Sequence, residues 1–114
     1  MLSLTNYQVY IYSEACDMRC GFDRLSDMVS VKLKREVKSG GLYVFWGRRK
    51  DRVKILYWDR DGYCLWYKRL EAGVFKIDSV NGVEEISGVD LELLLSGMEL
   101  SRIKYRKSIL EKTN

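Results

Sequence analysis

Three strand-like runs, Leu42 to Trp46, Arg52 to Trp58 and Tyr63 to Leu70, follow one another with only Gly47 to Asp51 and Asp59-Arg60-Asp61-Gly62 between them. A parallel crossover needs a dozen residues or more, so connections this short and this rich in turn formers predict an antiparallel meander. Alternation along the middle run sends Val53, Ile55 and Tyr57 to one face and Lys54, Leu56 and Trp58 to the other, leaving both faces partly apolar. Eight of the fourteen aromatic residues, including all three Trp, lie between Tyr43 and Lys68. A sheet of this kind needs cover on both sides: a helix on one, and on the other a second layer, a partner chain or a flat ligand such as a nucleic-acid base.

The rest of the chain supplies material for that cover. Tyr7 to Tyr12 has the composition of an opening strand. Phe22, Leu25, Val29 and Leu33 recur at helical spacing, with Arg24, Asp27, Lys32 and Arg35 between them, which predicts an amphipathic helix from about Gly21 to a stop at Ser39-Gly40-Gly41. A short strand is expected near Val74 to Ile77, and Asn81-Gly82 carries a turn signal. Ser87-Gly88-Val89-Asp90 fits a capping box opening a short helix through Leu91, Leu94 and Leu95 that ends near Gly97. With 114 residues, no Pro and no repeat, the expectation is one α+β domain over 1–98, an antiparallel β-meander packed on an amphipathic helix with a short C-terminal helix. Residues 99–114 form a basic tail, either a last helix or an arm.

Several function classes are disfavoured by what the sequence lacks. No window approaches eighteen apolar residues and the N-terminus carries no secretory pattern, so a cytoplasmic protein without a membrane partner is expected. Cys16, Cys20 and Cys64 with no His fall short of a four-ligand zinc site, and reduced packed thiols are the simpler reading. No cofactor or metal is expected. Asp17, Asp23, Asp59, Asp61 and Glu71 could in principle form a two-metal set, but Asp59 and Asp61 suit a tight turn, and the absence of His removes the usual proton carrier near neutral pH. The chain is therefore not expected to be an enzyme.

Charge distribution points to a binding role instead. Arg48, Arg49, Lys50, Arg52 and Lys54 face a single acid, Asp51, within seven residues, and the whole chain nets only +4. Such a cluster suits phosphate oxygens, which Arg can hold through paired hydrogen bonds. A second basic cluster, Arg102, Lys104, Arg106, Lys107 and Lys112, lies in the tail. Residues 77–98 hold no Lys or Arg and carry Asp78, Glu84, Glu85, Asp90 and Glu92, so an acidic side should face away from a bound polyanion.

Four segments, Asp17 to Asp23, Gly41 to Phe45, Gly47 to Asp59 and Asp61 to Glu71, resemble the second-reading-frame accessory proteins of bacterial insertion sequences of the IS sixty-six type. The likeness covers roughly residues 8–98, including Leu91 to Leu95. It departs at Cys20, where the family usually has a basic residue, and at Lys50, where Gly is common. The resemblance implies a role in transposition beside a separate, larger DDE transposase. Arg19, Lys68 and Arg69 lie inside the matching segments and join Arg48, Arg49, Lys50, Arg52 and Lys54 as candidate DNA contacts; an Arg19–Asp17 pair closing the loop before the first helix is an equal reading of Arg19. The expected function is DNA binding through a basic hairpin, with a surface for the transposase or for another copy of the chain. The alternatives are an adaptor that docks on the transposase without touching DNA, and single-strand binding through Trp46, Trp58 and Trp66.

Overall fold

A computed structural model describes residues 4–77 and 84–103. The meander forms where the short loops demand it: β2 (Leu42–Trp46), β3 (Arg52–Asp59) and β4 (Gly62–Arg69) pair antiparallel in unbroken register, Trp46 opposite Val53 and Arg52 opposite Arg69. The opening strand β1 (Gln8–Ile11) runs parallel to β2, the connection through residues 12–41 being long enough for a crossover. A fifth strand, β5 (Glu84–Ser87), adds antiparallel to β1, giving the order β4-β3-β2-β1-β5.

Both faces of the sheet are covered, so the second layer is supplied by the chain itself. Val9, Ile11, Leu42, Val44, Val53 and Ile55 point toward α2 (Gly88–Leu95), toward Phe75 and Ile77, and toward Leu100 and Ile103 of a helical stretch at 100–103. Tyr10, Tyr12, Tyr43, Phe45 and Leu56 point the other way, onto Leu25, Val29 and Val37. The core therefore takes in 100–103, while residues 104–114 lie outside the described residues, as does the Asn81-Gly82 turn. Phe75 and Ile77 are not in a strand; they are buried as irregular chain, and Phe75 N donates to Lys50 O instead of to a neighbouring strand.

The long helix is shorter than its periodicity suggests. α1 (Phe22–Met28) passes into a π-helical turn, Val29–Leu33, and stops at Lys34, whose φ of 56° is left-handed. The chain then extends through Glu36 and makes a separate 3₁₀ turn, Val37–Ser39, before Gly40. Stopping early lets Val37 enter the core and lays Arg35 over the Tyr10 ring, 4.2 Å from its centroid, with Tyr10 stacked in turn on Tyr43 at 5.4 Å. α2 begins as predicted, Ser87 Oγ accepting from Asp90 N at 3.1 Å. Gly88 is indispensable there, because a Cβ would overlap the Leu4 carbonyl.

Candidate nucleic-acid interface

The basic loop is held from several directions. Lys50 N donates to Gly47 O (2.9 Å) and Gly47 N to Arg52 O (3.1 Å), closing the hairpin. Asp51 O accepts from Leu70 N and Lys50 O from Phe75 N, each at 2.7 Å, which ties the loop to the chain beyond β4. On the opposite side Cys16 N donates to Trp46 O (2.7 Å), and Met18 packs so closely on Gly47 that a Cβ there would lie 3.0 Å from Met18 Cγ. Lys50 has φ 61°, a conformation in which Gly would be unstrained.

This framework surrounds a concavity of about 530 Å³ between the hairpin and residues 15–18, lined by Arg48, Arg49, Arg52, Asp17 and Asp51 among others. Arg48 and Arg49 are exposed and have no acidic or hydrogen-bonding partner among the described residues. Arg52 is half-buried at the rim and donates to Tyr67 Oη at 3.3 Å. Loop 15–18 was not anticipated as a wall of the site. Its one sequence signal was that Asp17 to Asp23 lies in a segment shared with the family.

The remaining candidates separate. Lys54 shares the strand face of Arg52 but is only 6% exposed, its Nζ donating to Cys20 O at 2.7 Å and lying 4.8 Å from the Tyr67 ring centroid. It pins the loop before α1 to the sheet, so it does not share the exposed surface of Arg48 and Arg49. Arg19 folds back onto Asp17 through a bidentate pair, with Nη2–Oδ2 at 2.7 Å, and Asp17 Oδ1 also accepts from Arg19 N at 2.9 Å. The hydrogen bonds from Arg19 hold the Asp17 carboxyl well below the usual carboxylate range. Arg69 lies opposite Arg52 and pairs with Glu71 at 3.1 Å, an exposed bridge of little strength. Lys68 lies opposite Val53, on the α2 side of the sheet and away from Arg52 and Arg69.

The aromatic residues are mostly core. Trp46 is buried against Phe75, ring centroids 5.1 Å apart, so it cannot offer a face to a base; Trp58 and Trp66 are half-buried. Tyr67, at 47% exposure, is the most open aromatic of the sheet. Asp59 and Asp61 sit at the end of β3 remote from Asp17, which neighbours the β2–β3 loop, so these carboxylates do not meet. All three cysteines are free, and burial pushes the Cys16 thiol up to about 12. No helix among the described residues is long and apolar enough to cross a membrane.

Fold and site together define a small α+β protein, a five-stranded sheet covered on both faces, that presents an anchored arginine hairpin. The family described as IS66 Orf2 like protein matches residues 7–105, and the chain belongs to it; its members are transposition-associated accessory proteins. Two relatives from Sinorhizobium fredii (strain NBRC 101917 / NGR234) are similar over most of their length. The uncharacterized protein y4hO is 40% identical over 95 residues, 82% of this chain and 83% of its own. The uncharacterized protein y4jC is 31% identical over 100 residues, 87% and 86% respectively. No solved structure matches.

Proposed function

We propose that the chain binds DNA phosphates through the β2–β3 hairpin and in that way assists a separate DDE transposase, with no reaction of its own. The observation that carries this reading is the pair Arg48 and Arg49: exposed, without partners among the described residues, and mounted on a loop whose backbone is tied to chain on both sides. A loop whose backbone is already braced needs little further ordering to bring Arg48 and Arg49 with Arg52 around one concavity onto phosphate oxygens, and Arg is suited to paired hydrogen bonds with them. Lys50, at intermediate exposure on the same loop, adds charge. The acidic strand β5 lies at the opposite edge of the sheet from β4, which orients contact with a polyanion.

A gel-shift experiment with purified chain and a duplex probe tests the proposal. The chain is expected to shift the probe alone, and Arg48→Ala with Arg49→Ala to weaken the shift. A shift obtained only when the transposase is added would instead make the chain an adaptor. Tryptophan quenching by single strands is expected to be weak, since Trp46 is enclosed.

A further inference from the structure

The two edges of the sheet differ. β5 is four residues long and carries Glu84 and Glu85. β4 is eight residues long, has no Pro, and pairs with β3 from Arg52–Arg69 to Asp59–Gly62 without a bulge. No strand covers its outer edge among the described residues. Long regular edges of this kind invite another strand, and proteins that keep them unpaired usually interrupt them. Leu70 N donates to Asp51 O, which fixes the alternation: even-numbered residues of β4 bond to β3, while the N–H and C=O groups of Tyr63, Leu65, Tyr67 and Arg69 point outward.

We infer that β4 pairs antiparallel with β4 of a second copy, about a two-fold axis through Leu65. In this register Leu65 meets Leu65 of the other copy, Tyr63 meets Tyr67, and Asp61 in the turn meets Arg69. The two ends are of opposite net charge, as such pairing requires: Asp59-Arg60-Asp61 nets −1 at one end, and Lys68-Arg69 with Glu71 nets +1 at the other. Parallel pairing would set like charges side by side. The Glu71 that neighbours Arg69 is 84% exposed and free to swing aside. The axis is perpendicular to the sheet, so both Arg52 clusters come to the same side, about 30 Å apart by strand rise and spacing. The dimer does not depend on DNA binding; it would place two arginine hairpins at opposite ends of one continuous sheet with their Arg52 side chains on the same face.

Sedimentation equilibrium over a concentration series tests the contact, with Asp61→Arg, Arg69→Asp and the double variant, all at exposed positions whose folding circular dichroism verifies. Each single variant places two like-charged pairs in the interface and should weaken the dimer about tenfold, and the double variant should restore it. A chain monomeric up to its solubility limit overturns the inference. So does a dimer indifferent to the single swaps, and so does protection of β4 amides that appears only on adding transposase. DNA binding by a monomer would leave the hairpin's role standing while removing the dimer.

Discussion

The two hairpin loops of the meander reverse the chain at opposite ends of β3, and they do so with different support. The Asp59-Arg60-Asp61-Gly62 turn is tight and local, built from turn residues, with Arg60 left-handed at φ 53°. The Gly47 to Asp51 loop also holds a left-handed cation, Lys50, yet it is bonded to residues 70 and 75, and the strand before it to residue 16. A turn that only reverses a strand needs no such bracing. The braced loop is the one that carries adjacent exposed arginines beside a concavity, and bracing of this kind lowers the entropy lost on binding.

The largest expected effect that would sharpen this contrast comes from Lys54, which supports the basic end without being part of its exposed surface. Lys54→Ala should cost about 2 kcal/mol in urea unfolding, through the unpaired Cys20 carbonyl and the lost stem packing, while Lys54→Met recovers part of that. Neither should alter the salt dependence of DNA binding; a changed salt dependence would return Lys54 to the phosphate contacts.

A smaller effect is expected from relieving the two left-handed cations. Lys50→Gly and Arg60→Gly should each stabilise the fold by about 0.5 to 1 kcal/mol, read from thermal unfolding. Only the Lys50 variant should weaken DNA binding, and equal losses at both turns would break the comparison. The smallest effect belongs to Arg60→Ala, within about 0.5 kcal/mol in stability and without change in the affinity for a duplex probe. Beside these, Cys16 should resist alkylation near neutral pH. Its thiol is raised in the folded chain, so the stability this gives is present below the ordinary thiol range and is lost as pH climbs toward about 12. Comparing Cys16→Ser with the parent across alkaline unfolding curves isolates that contribution.

The meander was legible because loop length and turn chemistry are local properties, and the Ser87 cap was legible for the same reason. The β1–β2 pairing was not, since a parallel contact across thirty residues leaves no short-range mark. Helix periodicity ran on past Lys34 because a residue that turns left-handed under tertiary packing looks, in sequence, like any other lysine. Charge density drew attention to Arg48 and Arg49, and both are exposed. It did not reveal that Lys54 is enclosed, because period two names the face on which a side chain lies and not whether that face is already covered at that point. Arg19 was similarly readable in two ways, and the hydrogen bonds to Asp17 show that the pair forms.

The central claim is that the hairpin arginines meet phosphates, and fluorescence polarisation with a duplex probe across a salt series tests it most directly. Each phosphate contact contributes a slope of about −0.9 in log affinity against log salt, so Arg48→Ala with Arg49→Ala should flatten the slope by about two units. An unchanged slope, or no binding by the parent chain even at low salt, would contradict the account.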